Sequence, residues 1–524
     1  MPPGENSGIL FGRSALLWLF GALLLLRATG FAVGLTNLDE CDFWLFGRMM
    51  REHALPYVGV ADIKPPLTYL AFLAAGLLFG PHRTLAVPLL GLSVVFACAL
   101  LLGATARYRS GDARTGLAAA WLTLWAGLCE GPSVNAEILM NLPSAAALYA
   151  YARAEREKRF ASYFAAGVFA ALASLFKLQA GILWPALGLA TAWPALREGP
   201  SPARKRALET ASVLSAGFVL PWALAALVCA RGGYLAGAYD WVVRRNVFQI
   251  SSAQVFALEN VLPSIAAALF ATAFAWWLAL REARQPRDGF ERALVVLLVL
   301  TLLPVSVGRR FYEHYFLQFV PPLALLGAPQ LVALRDRFAG FSRARRAAVL
   351  VFALSAPVGN LAFTAHRALA RGFPGQDSKA LAIAAWLDEH TAPSDRVFMW
   401  GDYSAIYCLA DRLPGTRYMR TAPQVGDFDP LHLPEGFDFR PYRSERDIGA
   451  ALLDLEKNRP AIVLDTSPAD VHRWSLFPLD AVPDLRRFIA LHYREVGRPA
   501  GAVVYRLADA GEPAGPPSQD SERP

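Results

Sequence analysis

Two long apolar runs, residues 84–106 and 207–230, set the terms for this chain. Each exceeds the roughly 20 residues that carry a helix across a bilayer. In lipid every backbone N–H and C=O must be bonded within the protein, so a run of that length and composition resolves as a helix. Other apolar segments follow at short intervals. Of the 524 residues 55% are hydrophobic and 18% charged, against about 25% charged in an ordinary soluble domain. The chain therefore reads as a polytopic α-helical membrane protein.

The formal charge of +8 raises nucleic acid as a partner, but the arginines and lysines lie in short loops between apolar spans. That is the positive-inside pattern, and it accounts for the charge without a polyanion. Reading spans against basic loops gives about eleven crossings, with cores at 14–35, 85–105, 116–129, 138–152, 161–176, 179–196, 208–230, 258–280, 293–308, 316–334 and 347–366. Five loops are strongly basic, among them Arg107/Arg109/Arg114 and Arg343/Arg345/Arg346. All five share one side only if residues 36–84 stay wholly on the other. The apolar stretch 67–80 is short for a span and is expected to form a horizontal or re-entrant helix instead.

The organisation that follows is a transmembrane domain over 1–366, a first external loop with horizontal helices at 36–84, an external α/β domain at 367–508 and a disordered tail at 509–524. The α/β expectation rests on helical patterns at 378–390 and 443–458 and short apolar strands at 396–400, 461–464 and 502–505. The tail is rich in Pro, Gly, Ser and charge. The N-terminal apolar run lacks a convincing cleavage site and reads as a retained first span. The five cysteines form no CxxC pair; a Cys41–Cys129 disulfide is one pairing open to an oxidising compartment.

Just past the first span stands the acidic group Asp39-Glu40, with Asp42 close behind, then Pro56-Tyr57 and Asp62-Ile63-Lys64-Pro65-Pro66. Carboxylates beside a bilayer are costly unless water or a ligand stabilises them, which makes the cluster a functional-site hypothesis. Taking a proton from a hydroxyl needs a carboxylate such as Asp39 or Glu40. Displacing a phosphate needs cations on the leaving oxygen, and Lys64, Arg309, Arg310 and Lys177 lie on the same predicted face. Asp62, Glu137 and His314 are acceptor-binding candidates, or oxygen and imidazole ligands for a divalent metal ion.

These residues resemble a known family, the lipid-phosphate-sugar glycosyltransferases of the GT-C superfamily, in the bacterial branch of aminoarabinose transferases and protein mannosyltransferases. The resemblance is carried by Asp39-Glu40, Pro56-Tyr57, Asp62-x-Lys64-Pro65-Pro66-Leu67, Glu137 at the start of a later span, and His314-Tyr315-Phe316-Leu317 leading to Pro321-Pro322. Asp395-Arg396-Val397, Trp400-Gly401 and Tyr407 extend it into the tail domain. It implies inverting transfer of a sugar from a polyprenyl-phosphate-linked donor to a hydroxyl of a lipid, glycan or protein. It also implies a multi-pass protein of the inner (plasma) membrane, with its active site on the periplasmic or external face. Asp39 would be the base or acceptor-positioning residue with Glu40 beside it, and Lys64 would hold the donor phosphate. Asp42 departs from the pattern by adding a third neighbouring carboxylate, so the choice of base leans on the resemblance. Glu137 stands where relatives often have Asp.

Plainer readings exist for each residue. Asp39 and Glu40 would suit a solvated loop capping a helix that begins near Phe43. Lys64 would serve as an interfacial anchor, Glu137 as a helix cap, and Arg309, Arg310 and Glu313 as a surface ion-pair group. Lys177 would merely end a span, His314 would pack at an interface, and Arg27 would snorkel outward. Asp427-Phe428-Asp429 matches a metal-binding Asp-x-Asp motif that is common by chance. The alternative function is a transporter or lipid flippase. Its ionisable groups would sit near the bilayer midplane within duplicated halves, and no duplication is visible here.

Overall fold

The computed structural model describes residues 11–126, 130, 132–197, 201–247 and 261–508. Cys129 and the tail from residue 509 lie outside them. Among the described residues, seven helices are long and apolar enough to cross a membrane, including Arg13–Val33, Arg83–Ser110, Pro202–Arg231, Leu262–Ala283 and Gly289–Ser306. Pro66–Phe79 and Phe160–Phe176 are shorter apolar helices. Helices also occupy Ala113–Ala126, Ala136–Glu157 and Leu183–Arg197, so each predicted span finds a helix. The chain divides into two compact units.

The first unit comprises Met1–Ala32, Lys64–Gly232 and Val261–Arg367. Its core is aliphatic and aromatic and rich in alanine, with Leu102, Leu148, Tyr151, Leu278 and Leu323 fully enclosed. Small residues let its helices touch. A Cβ on Gly167 would run into the Leu214 carbonyl, and one on Gly217 into that of Phe164. Helices Phe160–Phe176 and Pro202–Arg231 thus approach backbone to backbone, as membrane helices do where burial of apolar surface cannot drive association. Arg27 does not snorkel. It is buried, and its guanidinium donates to the carbonyls of Pro132 at 2.6 Å and Ser133 at 3.1 Å.

The second unit comprises Val33–Ile63, Gly233–Asn260 and Ala368–Pro524. Its sheet has the order β2-β1-β3-β5-β4. β1 (Arg396–Trp400) runs parallel to β2 (Leu413–Pro414) and β3 (Ile462–Asp465), while β5 (Val503–Leu507) is antiparallel to both β3 and β4 (Tyr493–Gly497). Helices Ser378–His390 and Glu445–Asn458 accompany it. The core gathers Phe398, Trp400, Val463, Trp474 and Phe477.

The early segment is fastened into this unit. Cys41 is disulfide-bonded to Cys408, not to Cys129, and Ala61 N–H donates to the Arg417 carbonyl at 2.9 Å. Arg245 joins Asp447 at 2.5 Å, and Arg446 joins Asp240 at 3.1 Å.

Candidate functional site

In the first unit, helix Ala136–Glu157 begins at Asn135, whose Oδ1 accepts from the Ile138 N–H at 3.3 Å. An asparagine cap leaves the next residues facing the positive end of the helix, where a carboxylate is favoured. Glu137 occupies that turn and is wholly buried. Helix Phe160–Phe176 stops at Lys177, which turns extended (φ −150°, ψ 125°) before a short 3₁₀ segment, Leu178–Ile182. The Lys177 ammonium pairs with Glu137 Oε1 and lies 4.1 Å from the centre of the Tyr315 ring. Buried charges persist when they are paired, and the ring face adds a second attraction for the cation.

His314 sits in the 3₁₀ segment Glu313–Phe319. Its Nδ1 is 2.5 Å from Glu130 Oε1, and its Nε2 is 3.8 Å from Glu137 Oε1. Asn141 ties the two elements together, its Nδ2 donating to the Leu317 carbonyl at 2.9 Å. Charges therefore alternate along Glu130, His314, Glu137 and Lys177. Glu137 Oε2 is buried with no hydrogen-bond partner. Arg27 steadies the loop that joins Glu130 to this helix. Lys64 belongs to the same unit and is half-buried, its N–H bonded to the Tyr69 hydroxyl at 3.0 Å. Arg309 is exposed and Arg310 half-buried, in the turn after helix Gly289–Ser306.

Asp39, Glu40 and Asp62 fall in the second unit. Helix Leu38–Arg51 begins five residues earlier than Phe43, so Asp39 and Glu40 are in its first turn. Glu40 has a structural task there. Asn37 is the cap, and the Glu40 carboxylate accepts from Thr36 N–H at 2.9 Å, Thr36 Oγ1 at 2.7 Å and Asn37 N–H at 3.4 Å. This reciprocal capping box satisfies backbone donors that the helix cannot. Buried and so engaged, the Glu40 carboxylate is committed to the cap. Asp39 is half-buried.

Asp42, 1% exposed, lies 3.0 Å from Arg420, which is also 3.6 Å from the buried Asp402. Burial pushes the Asp42 carboxyl up to about 6 against the pull of Arg420, with the charges of Asp62 and Asp39 adding to the rise. Burial likewise lifts Asp402 to about 8, with Asp429, Asp42 and Asp427 adding to it. Burial disfavours charge on Arg420 too, but Asp42, Asp402, Asp62 and Asp39 outweigh it and hold the guanidinium protonated. Neither Arg420 nor Asp402 belongs to any pattern that a sequence scan would select.

Asp427-Phe428-Asp429 is not a metal motif here. Phe428 is core, and Asp429 caps the turn Pro430–His432 by accepting from Leu431 N–H at 2.9 Å. Among the described residues no group of three or more His, Cys, Asp or Glu could hold a metal ion. Of the three ligands considered from sequence, Glu137 and His314 share the first unit and Asp62 belongs to the second.

No family model matches the sequence, and no curated protein does. Solved structures do match. ArnT from Cupriavidus metallidurans bound to undecaprenyl phosphate is similar over 97% of this chain and 100% of its own, with TM-score 0.62 and 15% identity. The Archaeoglobus fulgidus oligosaccharyltransferase in the apo form is similar over 95% of this chain and 75% of its own, with TM-score 0.55 and 13% identity. The archaeal oligosaccharyltransferase AglB from the same organism, in complex with an inhibitory peptide and a dolichol-phosphate, has TM-score 0.50 and 14% identity. The polytopic helices, the C-terminal sheet domain and this near-complete overlap give one conclusion: the chain has the GT-C fold.

Proposed function

We propose that the chain is an integral membrane glycosyltransferase. It moves a sugar from a polyprenyl-phosphate-linked donor to a hydroxyl of a lipid, glycan or protein acceptor, with inversion, on the external face of the inner (plasma) membrane. The observation that carries this is the overlap with ArnT over 97% of this chain and 100% of that one, since that protein was captured with undecaprenyl phosphate bound.

Three local features support the reading. The buried Lys177 ammonium lies beside Glu137, which has a second partner within reach in His314 Nε2. A donor phosphate arriving at Lys177 would let Glu137 turn to the imidazole, so the charge of each group stays compensated. Lys64, Arg309 and Arg310 are further cations for the phosphate. The Cys41–Cys408 disulfide favours an oxidising compartment for the unit that contains Asp39.

In this mechanism Asp39 is the base. Asp42 is enclosed against Arg420 and Glu40 is consumed in the cap, whereas Asp39 is partly open. Its carboxylate takes the acceptor proton while the acceptor oxygen attacks the anomeric carbon. The bond from that carbon to the phosphate oxygen breaks, and its electron pair leaves with the polyprenyl phosphate. Attack opposite the leaving oxygen inverts the centre.

The test incubates purified protein in liposomes with radiolabelled polyprenyl-phosphate-sugars and membrane extract, then identifies the labelled acceptor by mass spectrometry. Asp39→Asn is expected to cut turnover by about 10²–10⁴-fold, the usual contribution of a general base. Undiminished turnover in Asp39→Asn overturns the assignment. A chelator titration in the same assay tests the divalent ion considered from sequence.

A further inference from the structure

The first-loop acids are not held by their own segment alone. Asp39 and Asp42 are three residues apart on helix Leu38–Arg51, a spacing that puts both on one face as neighbours. Between them in sequence, Cys41 is bonded to Cys408 on helix Ala405–Ala410, so that turn of the helix is anchored covalently. Beside the anchor, Arg420 lies 3.0 Å from Asp42 and 3.6 Å from Asp402, the second residue beyond β1.

We propose that Arg420 is a positioning residue for the base. By bridging Asp42 to Asp402 it compensates the charge next to Asp39 and fixes the helix turn from which Asp39 meets the acceptor. The proposal rests on the assignment of Asp39 as base.

The charge inventory explains why such a residue is needed. Asp39 and Asp42 come from the helix and Asp62 from the segment ahead of Lys64, and all three act on Arg420, joined by Asp402 from the end of β1 once it ionises. Asp427 and Asp429 add negative charge around Asp402, and His472 Nδ1 lies 3.9 Å from Asp402 Oδ2. His472 also feels Asp429, Arg420 and Asp377. Like charges this close oppose one another's ionisation, and an opposite charge within about 4–6 Å restores it by about 1–3 pH units. Without Arg420 the helix would present two mutually repelling carboxylates, and the base would be charged only at higher pH.

The experiment measures kcat/KM against pH with a fixed polyprenyl-phosphate-sugar and acceptor, for Arg420→Met, Arg420→Lys, Asp42→Asn and Asp39→Asn. Arg420→Met should move the acidic limb of the profile upward by about one unit or more, a loss of tenfold or more at low pH that narrows towards the plateau. Arg420→Lys should bring the limb back, and Asp42→Asn should leave it in place or lower it. An Arg420→Met profile scaled down by one factor at every pH, or unmoved, overturns the positioning role while Asp39→Asn still abolishes turnover. If Arg420→Met does not fold, an upward shift in Asp42→Asn overturns it instead. Full activity in Asp39→Asn removes the base assignment and the proposal with it.

Discussion

Asp402→Asn is the substitution whose effect the structure sizes best. Asp402 is 3% exposed, and burial lifts its carboxyl from 3.8 to about 8. The folded protein therefore keeps a proton that the unfolded chain has given up above pH 4. A raised carboxyl contributes fully at low pH, and its contribution is lost as pH climbs from about 4 to about 8. At about 1.4 kcal/mol per unit, folding with this group costs about 4 kcal/mol at pH 7 and nothing near pH 4. Asparagine has nearly the same shape and no proton to hold. Asp402 Oδ1 accepts no hydrogen bond in the folded protein, so replacing the carboxyl there sacrifices none at that atom. Asp402→Asn should thus stabilise at neutral pH and do little at pH 4.5. Trp400 and Trp474, both fully buried in the same unit, report its unfolding by fluorescence. At about 2–4 °C per kcal/mol, the midpoint should rise by roughly 8–16 °C at pH 7. An equal shift at pH 4.5 and pH 7, or a fall at pH 7, would refute the reasoning.

Other perturbations have defined outcomes. Reducing Cys41–Cys408, or replacing Cys41 by Ser, should cost about 2–5 kcal/mol, read as a lower tryptophan midpoint together with a new reactive thiol. Lys177→Met or Glu137→Gln alone should destabilise, the lysine variant by less than the roughly 3–5 kcal/mol of a stranded buried charge because His314 remains as a partner for Glu137. The double variant should recover most of that in a thermal double-mutant cycle, and strict additivity would deny the coupling. Gly167→Ala or Gly217→Ala should lower folded yield in detergent by size-exclusion chromatography, since each new methyl meets a neighbouring backbone carbonyl.

Much of the frame was legible because periodicity and apolar length are local properties. Helix Ser378–His390 and strand β1 fall where alternation and helical spacing put them. Strands β2 and β4 were not seen, and each has a physical reason. β2 is two residues long and includes a proline, while β4 is a polar edge strand, Tyr-Arg-Glu-Val-Gly, with little buried surface to impose a pattern. At the site, Glu137, Lys177 and His314 were legible as rare charges in apolar surroundings, and they meet. Asp39 and Glu40 look alike in sequence as two adjacent acids. Only the Asn37 cap, three residues before Glu40, separates a helix-starting carboxylate from a reactive one. Arg420 and Asp402 were invisible, since they reach Asp42 only through tertiary folding.

The disulfide carries a consequence for how the protein is made. Cys41 and Cys408 are separated by 367 positions, which takes roughly 20–70 s to synthesise at about 5–20 residues per second. Throughout that interval the Cys41 thiol waits while the intervening membrane-spanning helices are made. The bond closes only on a chain whose last domain has reached the same compartment as its first loop. Closure therefore acts as a timestamp on completed insertion, and a pulse-chase on non-reducing gels would display it as a delayed mobility shift.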